Sequence, residues 1–312
     1  MLRRLLAVTA ASAVVLTGLV GCSSPNESAA PKDCRTPLQP GMLSENVTLT
    51  DITEGVPRVT VTGGTDIVNA QLSQLRAGEG SRTITGGELV SAIITVFDAS
   101  TGAMVLPTQT RFLEAMPEKA QSEFLAYLQA GATDNLSYTD LIMGGVLCHA
   151  PGDVLAIAAT PQQALTSGYT EDAIVIVVEI LSAGAMQAEG AARALPWGFP
   201  ALTQDATGRP GIVLPPQQAS ADLRSATAIQ GSGDKLTAEQ SGLGNVLTVG
   251  WNDKKVRSNS WEQGLVQLGS EGESRYSFRA ELTGVPLGSR VVILDPNNGD
   301  PLVHVVDVLS AG

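Results

Sequence analysis

The chain contains one segment twice, and the second copy forms its end. Residues 174–184 read IVIVVEILSAG and residues 302–312 read LVHVVDVLSAG, with seven of the eleven positions identical. Both copies are rich in valine and isoleucine, which favour β-strands. The copies start 128 residues apart, at 174 and 302, which is far longer than the unit of a solenoid. The repeat therefore indicates two tandem globular domains.

The composition agrees with folded, β-rich domains and restricts the partners. The chain is 43% hydrophobic and 4% aromatic, and it has 33 glycines. These values are typical of folded, turn-rich proteins rather than disordered ones. The net charge of −12 disfavours nucleic acid or an anionic membrane surface as the main partner. We therefore expect no nucleic-acid partner.

The first residues have the pattern of an export signal. Arginines at positions 3 and 4 precede an apolar run at 5–20, which is too short for a stop-transfer helix. The run ends in LVGC at 19–22, and a polar stretch follows. This resembles the lipobox of bacterial lipoproteins, which are cleaved before the cysteine and lipidated on its sulfur. It predicts a signal peptide at 1–21, lipid (such as palmitate) on Cys22 and a place on the extracytoplasmic face of the cell membrane. The alternative is an ordinary secretory peptide.

The other two cysteines, Cys34 and Cys148, form an even pair. In an oxidising compartment such a pair predicts a disulfide, which would fix the N-terminal arm to the first domain. The competing interpretation is a metal site at Cys148 and His149. It is disfavoured because neighbouring residues on a strand point to opposite faces. We predict no metal and no cofactor.

The remaining sequence divides at changes of composition. A flexible tether is predicted at 22–45, where Ser, Pro and Asn are frequent, and a linker at 185–199. Between and after them lie a first domain at 46–184 and a second at 200–312.

One helix is predicted at 117–129. Pro117 suits the first helical position, and Ala120, Phe124 and Leu128 recur on one face. Strands are predicted from alternating or apolar runs at 59–62, 91–97, 288–293 and 302–309.

Four motifs of the second half follow one another in an order typical of one family. They are VLTVG at 246–250, KVRSNSW at 255–261, LTGVPLGSRV at 282–291 and LVHVVDVL at 302–309. The series resembles the FKBP-type peptidyl-prolyl cis-trans isomerases, over about residues 225–312 and more weakly over 75–184. The resemblance implies an α+β fold present twice, each copy an antiparallel sheet wrapped around a short helix.

The resemblance also implies where a substrate groove would lie. In the second copy the groove positions are Thr248, Arg257, Ser258, Trp261, Phe278 and His304. Thr248 and His304 stand where the family has a tyrosine and a phenylalanine, and the loop before the last strand is shortened. In the first copy the candidate groove residues are Phe97, Tyr138, Leu141, Tyr169 and Ile176. The first copy keeps a longer loop, in which Tyr169 can supply a groove tyrosine.

These replacements bear on catalysis. Prolyl isomerisation has a barrier of about 20 kcal/mol and needs no nucleophile or acid–base pair. The catalyst must bind the twisted amide better than the planar forms, and an aromatic cradle that excludes water can do this. A cradle of Thr248, Arg257, Ser258 and His304 is smaller and more polar. We therefore expect weak or absent isomerase activity in the second copy, and the first copy is the better candidate for peptide binding.

Three functions are open at this point. The first is a membrane-anchored isomerase-like lipoprotein that binds proline-containing segments or unfolded exported proteins, as a chaperone does. The second is a non-catalytic binding or scaffolding protein that keeps the fold. The third is a small-ligand binder that uses a hollow near Phe278. His149 and His304 are interpreted as structural, because no G-x-S-x-G or H-E-x-x-H motif accompanies them.

Overall fold

The computed structural model describes residues 34, 36–53, 55–79, 83–130 and 136–312. The predicted signal peptide and Cys22 lie outside the described residues. Within these ranges, no helix is long and apolar enough to cross a membrane.

The chain forms mainly strands, and its helices are short. The strands of the N-terminal half are β1 Val47–Thr53, β2 Val56–Val61, β3 Gln71–Arg76, β4 Leu89–Asp98, β5 Met104–Glu114, β6 Val154–Ala159 and β7 Ile174–Gly184. Those that follow are β8 Ala191–Ala192, β9 Ala201–Gln204, β10 Pro210–Val213, β11 Arg224–Gln230, β12 Gly242–Gly250, β13 Val256–Asn259, β14 Val266–Gly269, β15 Ser289–Asp295 and β16 Leu302–Ala311. The α-helices are α1 Met42–Glu45, α2 Glu118–Ala130, α3 Tyr138–Gly145, α4 Pro161–Thr166 and α5 Ser260–Gln263, and 3₁₀ helices cover Arg279–Leu282 and Asn297–Gly299.

Two antiparallel sheets contain most of these strands. The N-terminal sheet has five strands in the order β3-β6-β7-β4-β5. The C-terminal sheet has seven, in the order β13-β12-β16-β15-β11-β8 with β14 beside β12. The repeated segments form β7 and β16. The order β3-β6-β7-β4-β5 corresponds strand by strand to β11-β15-β16-β12-β13, so both halves have the same topology.

The helix expected at 117–129 is present one residue later, as α2. Phe124 on its apolar face is buried in the core of the N-terminal sheet, with Ala120 and Leu128 packed beside it. The strand predictions are also confirmed, in β2, β4, β15 and β16.

Both faces of each sheet are covered. On the N-terminal sheet, α2 and α3 pack on one face and α1 with the β1–β2 hairpin on the other. On the C-terminal sheet, the 3₁₀ helix Arg279–Leu282 packs on one face and the β9–β10 hairpin on the other. The short helix of this second copy is thus one turn of 3₁₀ geometry.

Part of the predicted tether is packed against the N-terminal sheet. Leu38 and Leu43 are fully buried, and the backbone N–H of Leu43 donates to Gln71 Oε1 at 2.9 Å. The predicted disulfide between Cys34 and Cys148 is confirmed and joins this arm to the segment after α3. The ordered arm therefore begins well before residue 46.

The two repeated endings contact each other. The hydroxyls of Ser182 and Ser310, which occupy the same position in the repeat, hydrogen-bond at 3.1 Å. Leu89, Leu243 and Leu309 form a buried apolar cluster beside them. A Cβ atom at Gly312 would lie 2.6 Å from Thr110 Cγ2, which explains the glycine at this position.

An ion pair fixes the last two strands of the C-terminal sheet. The guanidinium of Arg290 on β15 donates from Nε and Nη2 to Asp307 on β16, at 2.6 and 2.8 Å. The two side chains are only 2% and 0% exposed. Arg76 and Glu179 form a pair at 2.8 Å in the N-terminal sheet, but there the side chains are 46% and 21% exposed.

We predict that Arg290→Met destabilises the protein by about 3–5 kcal/mol, because Asp307 would remain buried without its partner. The matched control is Arg76→Met, which removes the exposed pair and should cost about 1 kcal/mol or less. Urea unfolding of both variants measures the two losses. Similar losses for the two variants would contradict the expectation.

Candidate functional site

The groove predicted in the C-terminal half is centred on neighbouring strands. Thr248 on β12 lies opposite His304 on β16, and Thr248 Oγ1 is 2.9 Å from His304 Nδ1. The ring of Phe278, which begins the 3₁₀ helix, lies 4.5 Å from the imidazole centre. The structure thus brings three of the six predicted positions together, on the face that packs against the 3₁₀ helix.

Asp295 is part of this cluster and was missed at the sequence level. Its Oδ2 lies 3.5 Å from His304 Nε2 and accepts a hydrogen bond from Ser277 Oγ at 2.8 Å. Asp295 is the last residue of β15, two positions after Ile293, which pairs with His304. Since side chains two apart share a face, alternation along β15 could have identified it.

The cluster is closed and largely polar. Phe278 is 1% exposed, His304 6% and Thr248 6%, and Tyr276 stacks on Phe278 at 5.0 Å. Burial lowers the pKa of His304 below its usual value, and the nearby Asp295 opposes this effect only in part. His304 is therefore neutral near pH 7 and can accept a hydrogen bond from the Thr248 hydroxyl at Nδ1.

A buried arginine positions the 3₁₀ helix over the cluster. Arg279 is 2% exposed, and its guanidinium donates to the backbone carbonyls of Gly269, Thr237 and Gln240 at 2.6, 2.8 and 3.0 Å. These bonds tie the helix to two separate loops. The position of Phe278 is consequently fixed by the backbone around it.

Of the other three predicted positions, two lie elsewhere and one borders the cluster. Arg257 is exposed and pairs with Asp253 at 2.9 Å. Ser258 on the edge strand β13 lies opposite Thr248 on the same face, but it is exposed. Trp261 packs on the opposite face of the sheet, where Arg290 lies 5.8 Å from its ring centre. Trp261 is therefore a core residue of that face and not part of the groove.

The N-terminal groove keeps two tyrosines. Tyr138 at the start of α3 and Tyr169 after α4 meet edge to face, with ring centres 5.2 Å apart. The backbone N–H of Tyr138 donates to Ser167 Oγ at 3.0 Å, which joins the two helices. Both rings pack against the core that contains Leu141 and Ile176, which are fully buried. Four of the five predicted positions therefore belong to one core, and the two tyrosines lie at its margin.

Phe97 is the exception, because its side chain is on the other face. It packs with the cluster that contains Leu43 and Val47, while its neighbour Val96 lies opposite Ile176. Val96 thus holds the position that Thr248 holds in the second copy. A shift of one residue moves a strand side chain to the opposite face, so Val96 replaces Phe97 in the groove.

The hydroxyl of Tyr169 interacts with the neighbouring tyrosine and with a cation. Burial raises the pKa of Tyr169, as does its hydrogen bond with Tyr138, and the guanidinium of Arg111 opposes the shift. Arg111 lies on the edge strand β5, opposite Ala92. The site therefore combines an apolar core, two phenol hydroxyls and a nearby guanidinium.

The described residues contain no group of three or more His, Cys, Asp or Glu side chains that could hold a metal ion. At the position of the competing metal interpretation, Cys148 is bonded to Cys34. His149 Nδ1 lies 3.2 Å from Asp153 Oδ2, and burial lowers the pKa of His149. Because Cys148 is in a disulfide, it cannot supply the thiolate ligand that the metal interpretation requires.

Comparisons with known proteins found similarity in structure only. No family model and no curated protein matches the sequence. The three FKBP domains of wheat FKBP73 align with 78% of the chain and 95% of their own length, at 11% identity and a TM-score of 0.30. FkpA from Escherichia coli aligns with 38% of the chain and 53% of its own length (17% identity, TM-score 0.26). A peptidyl-prolyl cis-trans isomerase from Pseudomonas syringae aligns with 31% and 80% (19% identity, TM-score 0.24).

These identities and TM-scores are low, so the similarity supports no statement about activity.

We predict that the protein loses stability as the pH falls from about 6.5 towards 5. His304 and His149 have lowered pKa values in the folded state, so the unfolded chain takes up these protons first. The stability that the two neutral histidines contribute is complete at pH values above the pKa of the unfolded chain. It is lost as the pH falls towards their lowered pKa in the folded protein. Urea unfolding at about pH 7.5 and 5.0 measures this loss. These two pH values lie about one unit or more above and below the pKa of histidine in the unfolded chain.

The variants His304→Asn and His149→Asn should each reduce the loss, and the double variant should reduce it most. An unchanged loss in the double variant would show that other groups cause the pH dependence.

Proposed function

We propose that the protein is a membrane-anchored, extracytoplasmic lipoprotein of FKBP-like fold that binds proline-containing segments of exported proteins, with weak isomerase activity. The observation that carries this proposal is the contrast between the two grooves. Tyr138 and Tyr169 cover an apolar floor in the first, whereas Thr248 and His304 bond each other in the second.

The N-terminal groove has the chemistry that a proline ring needs. Aromatic faces provide apolar contact area in a rigid arrangement, and the buried core that includes Leu141 and Ile176 supports the two rings. The phenols of Tyr138 and Tyr169 and the guanidinium of Arg111 are donors for peptide carbonyls. These features support binding of a short peptide.

The same groove supports only weak catalysis. Acceleration requires contacts that are stronger for the twisted amide than for the planar one. Val96 and Ile176 occupy strand positions at the floor of this groove, and both are aliphatic. With two aromatic side chains in place of a full cradle, we expect binding to exceed any rate enhancement.

The C-terminal groove favours a second candidate, a non-catalytic binding or scaffolding protein. Phe278 is buried beneath Tyr276, and the Thr248–His304 hydrogen bond occupies the position of the family's groove aromatics. A hollow near Phe278, which the small-ligand hypothesis requires, is opposed by this packing. If binding persists without any isomerase activity, this second candidate is the correct description.

We predict that Tyr169→Ala weakens binding of a fluorescent proline-containing tetrapeptide by about tenfold, the effect of losing a contact worth 1–2 kcal/mol. Tyr276→Ala is the matched control in the C-terminal groove and should leave the affinity unchanged. Fluorescence anisotropy on the full chain gives both values. A loss with Tyr276→Ala alone would place the peptide in the other groove.

A proline-peptide isomerisation assay on the same proteins separates the two candidate functions. We expect an acceleration that is weak and lost in Tyr169→Ala. Binding without acceleration by the wild type would support the non-catalytic candidate.

The membrane anchor is tested through Cys22. We expect Cys22→Ser to release the protein from the membrane fraction of cells, because the lipid is attached to this sulfur in the proposed lipoprotein. Fractionation and immunoblotting measure the distribution, and Cys34→Ser is a control that removes a different cysteine. Membrane association of Cys22→Ser equal to that of the wild type would rule out the lipid anchor.

A further inference from the structure

A cavity of about 810 Å³ lies between the linker and the β9–β10 hairpin. Its lining includes Ala228, Ile229 and Arg290 of the C-terminal sheet, with Leu195 and Phe199 among the surrounding residues. Ligand sites typically have volumes of about 300–1,000 Å³. Of the residues that form the two grooves, none lines this cavity, so it is a separate candidate site.

One side of the cavity is the free edge of the C-terminal sheet. The N–H of Arg193 donates to the carbonyl of Ala228 on β11 at 2.8 Å. Since bonded and non-bonded pairs alternate in an antiparallel ladder, the next pair, Ala192 and Ile229, is non-bonded. The N–H and C=O of Ala192 therefore point away from β11. Ala192 lines the cavity, and β11 is the strand that pairs with β8.

The other side is the free edge of the hairpin. The N–H of Asp205 donates to the carbonyl of Arg209 at 3.0 Å, so the pair Gln204–Pro210 is non-bonded, as the missing N–H of proline requires. By the same alternation, Leu202 is also in a non-bonded pair. The N–H and C=O groups of Leu202 and Gln204 thus point away from β10. Both residues line the cavity.

We propose that this cleft receives an extended peptide segment of a partner protein, which adds as a strand between β8 and β9. Such a segment would pair with Ala192 on one edge and with Leu202 and Gln204 on the other. Main-chain hydrogen bonds supply the affinity in this mode of recognition. An apolar small molecule would leave these backbone groups without partners and is disfavoured for that reason.

Charge restricts the segment further. Arg193 lines the cavity and forms no ion pair in the ranges that the structure describes. Arg290 is already paired with Asp307. Glu189, on the same wall, disfavours a strongly acidic peptide. We therefore expect the tightest binding for a segment that carries one acidic side chain next to Arg193.

The test uses the full chain and a fluorescein-labelled, capped peptide of alternating valine and threonine with one central glutamate. A second probe has the same sequence with N-methyl groups on alternate amides, which cannot donate to a strand edge. We expect the first probe to bind and the second to bind at least about tenfold more weakly.

Three variants of the protein test the contacts on its side of the complex. Leu202→Pro removes an N–H that points into the cleft and spares the bonds to β10, as proline at an edge can. Leu202→Ala is its matched control and keeps the N–H. We expect Leu202→Pro and Arg193→Gln to weaken binding about tenfold each and Leu202→Ala to have little effect. The exposed Arg193 can be replaced without disturbing the fold.

Three outcomes would overturn the proposal. They are no binding of the glutamate probe up to about 1 mM, equal binding of the N-methylated probe, and unchanged binding by both Leu202→Pro and Arg193→Gln. The proposal does not depend on the tyrosine groove. Tyr169→Ala should leave this binding intact, and a loss there would place the peptide in the N-terminal groove instead.

Discussion

The buried ion pair between Arg290 and Asp307 joins parts of the C-terminal half that are distant in the sequence. Besides the pair itself, Arg290 Nη2 donates to the carbonyl of Gly208 on the hairpin at 2.6 Å. Asp307 Oδ2 accepts the backbone N–H of Ala188 in the linker at 3.1 Å. Because both charges are enclosed, neither side chain can lose its partner without a large cost. The pair thereby holds the linker and the hairpin against one sheet face, and the cavity is the space that remains between them.

The N-terminal half has a carboxylate at the position of Asp307 but no arginine at the position of Arg290. Glu179 stands at the repeat position of Asp307, but it lies opposite Val154, where the second copy has Arg290. Its partner Arg76 comes from β3, one strand further out. The exposed pair cannot fix a covering segment, and that face is covered by apolar packing of α1 and the β1–β2 hairpin. The two copies thus share a strand order and differ in what covers it.

The repeat in the sequence predicted both final strands, and the family resemblance assigned Thr248 and His304 to one candidate groove, where the structure shows them in contact. The predictions of site residues were wrong where the sheet face of a side chain depended on the exact register of its strand. Phe97 was assigned to the face that its neighbour occupies. Trp261 follows a register shift between β12 and β13 and lies in the helical turn α5, so alternation no longer indicates the sheet face of its side chain. Asp295 lies beyond the strand predicted at 288–293, whereas in the structure it is the last residue of β15. A register difference of one residue moves a side chain to the opposite face, and the local patterns in the sequence did not resolve the register to one residue.

Duplication explains how the two grooves could diverge. Polar side chains placed in a groove must find partners there, because burying them unpaired is costly. Thr248 and His304 bond each other, so this groove has few groups left for a peptide. The phenols of Tyr138 and Tyr169 keep an aromatic surface that a proline ring can use. Because the first copy retains that surface, the second copy can lose it without loss of peptide binding by the protein. In the second copy, Arg290 instead holds the linker and the hairpin against the sheet. The second copy then offers backbone edges on its opposite face, so the two halves would recognise different features of an extended chain.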